Sequence, residues 1–349
     1  LVLGEAFLNY SGFSKSNLRI GRQMVEGFSA KSNDTKMIPN TFDGIVLNSD
    51  AIDNTYFQLA YLTQQKLRSH TFSHAILAVG DATSSNQIRP EWSENDDSAM
   101  HRGLTFSALK AKGLPTDSPL ITAEVSNDSI SNTNLKTAMY SVPDLLSQIV
   151  AEANYNIDMS GEFTLSPGVR YLKQLDNGAG KAGGAALYGG LAGLSGAQGG
   201  YKDASSLDSQ MIAARLVGKY QNYKITLAYT NILDESDLIT PWRGFPTSGY
   251  TRSMARYHWQ ANTKNYRLEL VKNSFDSGLY KDMFMQLSVL HTDRDEDKNY
   301  FDENYYYAGF VKNIPELVDL QWRLRLGYHD TEKDDGDGLD SRFELNYLF

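Results

Sequence analysis

The stretch "VDLQWRLRLGY" (318–328) alternates between two kinds of side chain. One set of alternate positions is large and apolar, and the set between them is polar or glycine. A period of two residues places successive side chains on opposite faces of a β-strand. The segment is therefore predicted to be a strand with one apolar and one polar face. The closing stretch "RFELNYLF" (342–349) repeats the pattern and ends on a phenylalanine.

The same period recurs along the chain, and no segment of comparable length has a helical period. The pattern predicts about 15 strands, several with the length of about 9–11 residues that suits a tilted membrane strand. These predicted strands cover residues 1–10, 17–23, 44–50, 55–66, 120–126, 134–142, 147–157, 162–173, 209–219, 223–232, 264–274, 281–291, 304–312, 318–328 and 341–349. Pro167 lies inside one of them, where it removes a ladder hydrogen bond, so a bulge is expected there.

The predicted connections alternate between short turns and long loops. The short ones are 51–54, 158–161, 220–222 and 313–317, and the long ones are 24–43, 67–119, 174–208, 233–263, 292–303 and 329–340. Short turns on one side and long loops on the other are typical of outer-membrane barrels. The predicted fold is therefore all-β: one transmembrane antiparallel β-barrel domain over 1–349. A closed barrel with both ends in the periplasm needs an even strand count, so we expect further strands before Leu1.

Composition narrows the possible classes of protein. Hydrophobic residues make up 41% of the chain, but no run of about 18 apolar residues exists, so a membrane-spanning helix is not predicted. The 21 tyrosines suit strands and membrane interfaces. Cysteine is absent, which excludes disulfides and thiol chemistry. The net charge of −9 argues against a nucleic-acid partner.

Basic side chains occupy the polar face of several predicted strands. The outer face of a barrel meets hydrocarbon, so these side chains are expected to line a water-filled lumen. The candidate basic ladder consists of Arg19, Lys136, Arg170, Arg215, Lys219, Arg267, Arg323 and Arg325. Such a row would attract carboxylates and phosphates through fork-like hydrogen bonds. The alternative, equally open at this point, is simple pairing with wall acids such as Glu269, Glu344 or Asp319.

Five stretches resemble the OprD-type (Occ) outer-membrane porins of Gram-negative bacteria. They are "GRQ" (21–23), "NDTKMIPNTFDG" (33–44), "FQLAYLTQQKL" (57–67), "PWRGFPTSGYTRSM" (241–254) and "FELNYLF" (343–349). The resemblance implies an 18-stranded, largely monomeric diffusion channel, of which this chain would hold about 15 strands with three N-terminal ones missing. It implies that loops at 24–43, 67–119 and 233–263 fold inward and that a basic ladder guides carboxylate-bearing solutes. It also implies that the barrel-assembly machinery recognises the strand ending at Phe349.

The stretch "PWRGFPTSGYTRSMARYHW" (241–259) is dense in large side chains. On the resemblance, it would form one wall of the narrowest point of the lumen. The alternative is a well-packed plug that contacts no solute. The candidate constriction residues are Asp34, Lys36, Trp242, Arg243, Arg252 and Arg256.

Three other patterns favour ordinary loop structure. "GAGKAG" (178–183) matches a dinucleotide fingerprint, but the glycine-rich sequence after it disfavours a helix, so we expect a mobile extracellular loop. The acidic stretches "DRDEDKNYFDE" (293–303) and "DTEKDDGDGLD" (330–340) lack the calcium-loop spacing. They are expected to be solvated loop tips that divalent cations could bridge to lipopolysaccharide phosphates. No other cofactor, no resident metal and no catalytic constellation is predicted.

The leading hypothesis is a passive channel of the bacterial outer membrane for small anionic or zwitterionic solutes, and not an enzyme. Its other partners would be lipopolysaccharide, membrane lipid and the assembly machinery, with a monomer expected and a trimer as the alternative. Two further hypotheses stay open. One is a structural or adhesive barrel that works through the loops 67–119 and 174–208. The other is a secreted all-β sandwich that binds glycans.

Overall fold

The computed structural model describes residues 2–32, 39–67, 73–77, 104–159, 161–186, 191, 193–240, 242, 249–254, 259–275, 277–278, 280–314, 317, 319–333 and 336–347. Within these ranges the chain forms sixteen strands and short helical segments. The strands are β1 (Ala6–Tyr10), β2 (Ser16–Gln23), β3 (Thr41–Ile52), β4 (Thr55–Lys66), β5 (Leu120–Asn127), β6 (Thr133–Val142), β7 (Leu146–Tyr155), β8 (Ile157–Asp158), β9 (Phe163–Asp176), β10 (Ser209–Tyr220), β11 (Tyr223–Ile232), β12 (Thr263–Lys272), β13 (Phe284–Asp293), β14 (Glu303–Asn313), β15 (Leu320–Thr331) and β16 (Gly338–Tyr347). The helices are α1 (Phe106–Ala111), α2 (Gly180–Gly183) and the 3₁₀ turn Glu296–Lys298.

Fifteen of the strands follow one another as antiparallel neighbours in a single sheet, and β8 pairs only with β9. This confirms the prediction of an all-β chain with about 15 strands. The limits of β4 and β11 coincide with the predicted 55–66 and 223–232. The first predicted strand is shorter, and the predicted strand 147–157 is divided into β7 and β8. No helix in the described ranges is long and apolar enough to cross a membrane.

Pro167 is accommodated by its neighbouring strand. On one side Pro167 pairs in unbroken register with Leu216 of β10. On the other side the ladder with β7 ends at the pair Asn154–Gly168 and resumes in β8 at Ile157–Leu165. A proline has no N–H to donate, so the pairing is interrupted where that donor is missing. The irregularity expected at Pro167 is thus a gap between β7 and β8 and not a bulge in β9.

The sheet is strongly curved. Lys31, between β2 and β3, donates its backbone N–H to the carbonyl oxygen of Trp242, between β11 and β12, over 3.2 Å. These two connections are eight strand spacings apart, which would separate them by about 38 Å in a flat sheet. The contact therefore requires a curled wall with an inner and an outer face, as in a barrel. The connections 24–40, 67–119, 177–208 and 233–262 all leave the same end, here called the long-loop end.

Burial is inverted relative to a water-soluble sheet. Leu268 on β12 is 49% exposed, whereas the adjacent Glu269 is 6% exposed. Apolar side chains point outward and charged ones inward, as expected where lipid covers the outer face. Outward aromatic rings near the long-loop end include Tyr229, Tyr266 and His291. The ring centroids of Tyr229 and Tyr266 are 5.1 Å apart, and those of Tyr266 and His291 are 6.2 Å apart. A second outward group lies near the short-turn end and includes Tyr155, Tyr220, Tyr223, Trp322 and Tyr347.

The hydrophobic core lies inside the curved wall at the long-loop end. Inward side chains such as Tyr140, Leu172 and Met211 share one cluster with loop residues. Those loop residues come from all four long connections and include Val25, Leu104, Ala182, Leu238 and Trp242. The segment around α2 also contributes to this core, because Ala179 is fully buried. This segment is therefore packed against the core, whereas the sequence predicted a mobile extracellular loop there.

Candidate functional site

The inner wall of β6, β7, β9 and β10 carries a cluster of charged side chains that we call the loop-covered sector. Lys136 lies opposite Glu152 across β6 and β7, and Glu152 lies opposite Arg170 across β7 and β9. Directly opposed residues of antiparallel strands share a face. The register therefore brings these three side chains, together with Arg215 on β10, to the inner face.

Glu152 and Arg170 form a buried pair. The Arg170 Nε lies 2.7 Å from Oε2 of Glu152, and a second guanidinium nitrogen contacts the same oxygen. The side chain of Arg170 is 13% exposed, and that of Glu152 is 3% exposed. The Tyr250 hydroxyl donates to Oε2 of Glu152 over 2.6 Å, and the Asn154 amide donates to Oε1 over 2.8 Å. The Glu152 carboxylate is thus saturated by side chains of the wall and of one loop.

Two aromatic rings from different loops cover the basic groups of this sector. The Arg170 guanidinium carbon lies 4.7 Å from the ring centroid of Phe28 and 4.5 Å from that of Tyr250. The ammonium of Lys136 lies 5.9 Å from the Phe28 ring. Cations are attracted to the face of an aromatic ring, and more strongly when water is excluded. Arg170 is consequently enclosed by a carboxylate and two rings.

Arg215 differs from Arg170 although it contacts the same tyrosine. Its guanidinium carbon lies 4.5 Å from the Tyr250 ring centroid, and one terminal nitrogen donates to Oδ1 of Asn154 over 2.7 Å. Both partners are uncharged. Among the described residues no carboxylate binds Arg215, so its positive charge is held in place without being neutralised.

The loop that carries Phe28 is anchored to the wall by its own backbone. The N–H of Phe28 donates to Oε2 of Glu124 over 2.6 Å, and the N–H of Ser29 donates to the Tyr140 hydroxyl over 2.6 Å. The Tyr140 hydroxyl in turn donates to Glu124. A Cβ on Gly27 would lie 2.4 Å from Oε1 of Glu124 and 2.8 Å from the backbone carbonyl oxygen of Ala30, so a larger residue would force the loop to shift. The Tyr140 ring also stacks on Trp242 at 6.2 Å, which joins the two inward loops.

A second group of basic residues, the C-terminal sector, lies on the inner wall of β12, β15 and β16. Arg267 contacts Glu269, which is also bound by Lys224 over 3.3 Å and by the Gln286 amide over 2.6 Å. Arg323 and Arg325 share Glu344: Nη1 of Arg323 lies 3.5 Å from Oε2, and the Arg325 guanidinium contacts Oε1. The pairing alternative from the sequence therefore describes this sector, where Glu269 and Glu344 are the partners.

The remaining ladder residues have no bound carboxylate within the described ranges. The guanidinium carbon of Arg19 lies 5.1 Å from the Phe7 ring centroid. Lys219 is exposed near the short-turn end, opposite Lys224. With respect to the described residues, the eight predicted residues thus divide into four that bind a carboxylate and four that do not. The unpaired ones are Arg19, Lys136, Arg215 and Lys219.

Two of the six predicted constriction residues, Trp242 and Arg252, lie within the described ranges. Asp34, Lys36, Arg243 and Arg256 lie outside the described residues. Trp242 is fully buried in the core, where it packs on Tyr140, and Arg252 is partly buried. Sequence reasoning missed Glu152, Phe28 and Tyr250. Glu152 could have been found from the inward parity of β7, whereas no periodic signal marks the two loop aromatics.

The glycine-rich motif holds one of the protein's own carboxylates. Oδ1 of Asp176 accepts the N–H groups of Gly178 and Gly180 over 2.8 Å and 3.1 Å. Its Oδ2 accepts the N–H of Leu207 over 3.1 Å. The donors that a phosphate would need are therefore already used, which agrees with the loop interpretation. In the described part of the chain no three His, Asp or Glu side chains are grouped as metal ligands.

The chain is similar to known proteins both in sequence and in fold. Residues 11–112 match the family described as outer membrane porin, OprD family. Three solved structures are similar in fold. OccK8 (OprE) of Pseudomonas aeruginosa has 13% identity and a TM-score of 0.72, covering 96% of this chain and 77% of that chain. OccAB3 of Acinetobacter baumannii has 15% identity and a TM-score of 0.70, covering 97% and 75%. OpdK of Pseudomonas aeruginosa, solved with vanillate, has 14% identity and a TM-score of 0.68, covering 96% and 76%. No curated protein matches the chain.

These matches confirm the resemblance found in the sequence. The family match covers three of the five stretches that carried it, "GRQ", "NDTKMIPNTFDG" and "FQLAYLTQQKL". The structural matches confirm the antiparallel barrel fold over nearly the whole chain. The family match over residues 11–112 supports the predicted class, a channel of the bacterial outer membrane.

Proposed function

We propose that this OprD-type outer-membrane porin admits small hydrophilic solutes that carry a carboxylate, and that Arg215 is the main group that receives it. The observation that carries the proposal is the state of Arg215. Its guanidinium is fixed by Tyr250 and Asn154, and no carboxylate of the described residues neutralises it. A fixed, uncompensated guanidinium offers two parallel N–H donors to a carboxylate at little cost in side-chain entropy.

The other unpaired basic residues extend this site along the wall. Lys136 and Arg19 are held against aromatic rings, and Lys219 is exposed near the short-turn end. Successive positive groups raise the concentration of anions in a narrow aqueous path. Weak contacts at several places also allow release, which a passive channel requires.

Both anionic and zwitterionic solutes fit this arrangement. The carboxylates of this wall, Glu124 and Glu152, already accept hydrogen bonds from the protein itself, so the carboxylate of the solute is the group that this site receives in either case. The structure of OpdK holds vanillate, which supports a carboxylate-bearing solute here as well. Arg170, by contrast, is assigned a supporting role, because its guanidinium is already occupied.

The remaining partners follow from the outer-membrane setting and stay proposals. The outward aromatic rings at both ends of the strands suit the two lipid interfaces. The acidic long loops suit divalent bridges to lipopolysaccharide. Recognition by the assembly machinery is assigned to the strand ending at Phe349, which lies outside the described residues. A monomer is proposed as the working state.

The test is the reversal potential of the purified porin in a planar bilayer under a potassium chloride gradient. One charge acting across about 7 Å of water changes the occupancy of each ion about threefold, in opposite directions for chloride and potassium, so Arg215→Gln should lower the chloride-over-potassium permeability ratio by about sevenfold. Lys173→Gln is the matched control, because it removes the same charge from the outer face of β9, where Lys173 lies opposite the exposed Ile149. The proposal fails if Arg215→Gln behaves like Lys173→Gln.

A further inference from the structure

Lys298 lies in the loop 294–302 and is almost completely buried. Its side chain is 1% exposed, and its ammonium lies 2.8 Å from Oδ1 of Asp234 and 2.5 Å from Oδ2 of Asp295. The same ammonium lies 5.0 Å from the ring centroid of Tyr201. A lysine is rarely buried without partners of this kind, because removing its charge from water is costly.

The partners of Lys298 belong to three different long loops. Tyr201, in the loop 177–208, donates its hydroxyl to Oδ1 of Asp237 over 2.9 Å. Asp237, in the loop 233–262, accepts the N–H of Ala261 at the same oxygen over 2.8 Å. Gly200 has φ of 78°, and a Cβ there would lie 2.6 Å from the carbonyl oxygen of Asp297, so the loops meet at backbone distance.

The contacts hold both legs of the loop 233–262. The first leg contains Asp234, which binds Lys298. The second leg contains Asn262, whose side-chain amide donates to Oδ2 of Asp295 over 2.8 Å. The legs are also joined directly, since the N–H of Asn262 donates to the carbonyl oxygen of Leu233 over 3.2 Å. Asp295 and Lys298 therefore fix the two legs relative to each other.

The same loop carries Tyr250 between its two legs. Tyr250 is the ring that contacts Arg170 and Arg215 and donates to Glu152. A change in the position of the legs would move this ring with respect to the wall. The contact at the long-loop end therefore involves the same loop that supplies Tyr250 to the proposed carboxylate site.

The charges at this contact support each other. Burial by itself lowers the pKa of Lys298, but hydrogen bonds to Asp234 and Asp295 outweigh burial and raise that pKa. Burial also opposes ionisation of Asp234 and Asp295, yet the bonds from Lys298 lower the pKa of both carboxyl groups. All three groups are therefore charged at neutral pH. Removing one partner of a buried pair leaves an uncompensated charge, which is strongly destabilising.

We propose that Lys298 is a positioning residue that clamps the loop 233–262 from the extracellular side and thereby sets the place of Tyr250 on the inner wall. The proposal rests on the channel function but not on the class of solute. Loosening the clamp lets Tyr250 leave Arg215 and Arg170. The open channel then fluctuates between states with and without the aromatic cover.

The test compares two lysines that bind the same carboxylate. Lys298→Met removes the buried ammonium with little change in volume. Lys202→Met removes an ammonium whose side chain is 72% exposed and which lies 2.9 Å from the other oxygen of Asp234. In single-channel recordings we expect Lys298→Met to raise open-channel current noise severalfold and to shift the reversal potential. Lys202→Met should leave both unchanged.

A second measurement follows the clamp directly and does not depend on selectivity. The chain has no cysteine, so Ala261→Cys would be a unique thiol reporter beneath Tyr201, at a fully buried position. We expect slow reaction with a maleimide in the Ala261→Cys protein and at least tenfold faster reaction when Lys298→Met or Asp295→Asn is added. Correct assembly of each variant is checked by its resistance to unfolding in detergent.

The outcomes separate this inference from the proposed solute class. Equal noise and equal labelling in the Lys298→Met and Lys202→Met proteins would overturn the clamp. Faster labelling without any change in current would also overturn it, because the loop would then move without affecting Tyr250. If Arg215→Gln leaves the reversal potential unchanged while Lys298→Met raises the open-channel current noise, the clamp is supported. That result would contradict only the proposed preference for carboxylates.

Discussion

The loop-covered sector and the C-terminal sector are built from the same residue types on the same inner face. Their arginines differ, however, in how exposed their carboxylate partners are and in whether aromatic rings cover them. In the first, the carboxylate that pairs with Arg170 is 3% exposed and two loop aromatics cover the guanidinium. In the second, Glu344 is 34% exposed and serves both Arg323 and Arg325. Burial is not uniform within the C-terminal sector, because the side chains of Arg267 and Glu269 are only 11% and 8% exposed, so the contrast lies between the Arg170 pair and the pairs of Glu344.

This contrast shows that an inward arginine has no fixed role. An ion pair open to water contributes little to stability, whereas a buried one is costly to break. An aromatic ring holds a guanidinium without neutralising it, and a carboxylate both holds and neutralises it. Arg170 has both kinds of partner, Arg325 has the carboxylate, and Arg215 has the ring with a neutral amide. Among these three arginines, the charge available to a solute is therefore greatest at Arg215.

The largest expected effect is on the stability of the loop-covered sector. Glu152→Gln leaves Arg170 buried without its counter-charge, which should cost about 3 kcal/mol or more in the free energy of unfolding. Glu344→Gln is the matched change in the C-terminal sector and should cost about 1 kcal/mol or less, because that pair is open to water. Urea unfolding in detergent, followed by tryptophan fluorescence, measures both. Equal losses would show that the two sectors do not differ in burial.

The strands of both sectors could be predicted from the sequence. Alternation arises because lipid covers one face and water the other, and each residue of a strand such as β12 must satisfy one of these two solvents. The limits of β4 and β11 were predicted to the residue for this reason. The irregular pairing around β8 was not, because it depends on how β7 adjusts to Pro167 in its neighbour.

The site was less predictable than the wall. Glu269 and Glu344 were identified as pairing acids because they alternate with arginines on the same or the next strand. Phe28 and Tyr250 could not be identified, because loop residues follow no period and reach the wall only through long-range contacts. Trp242 was predicted as a constriction residue, and the structure places its large apolar ring in the core beside Tyr140.

A smaller effect tests whether Arg323 and Arg325 face the lumen at all. Leu324 lies between them and should therefore face lipid, so Leu324→Arg should cost about 2–4 kcal/mol if the position is near the membrane midplane. Gln321→Arg on the same strand is the control, because Gln321 faces inward and its amide donates to Asn313 over 3.0 Å. The measurement is the fraction of each variant assembled in outer-membrane preparations. Equal assembly of the two variants would reverse the assignment of faces in this sector.

The smallest expected effect concerns selectivity in the C-terminal sector. Replacing both Arg323 and Arg325 with glutamine should reduce the preference for anions and weaken uptake of carboxylate solutes. That double variant also leaves Glu344 unpaired, so the informative protein carries Glu344→Gln as well and loses one net positive charge, as Arg215→Gln does.

We expect this triple variant to lower the chloride-over-potassium ratio by about fourfold or less, which corresponds to one charge acting across about 10 Å of water on both ions. The effect should be weaker than that of Arg215→Gln because no described loop aromatic brings the path close to Arg323 or Arg325. The measurement is the same reversal potential under a salt gradient. If the triple variant shifts it as far as Arg215→Gln does, then net wall charge sets selectivity and the loop cover that distinguishes the two sectors has no part in it.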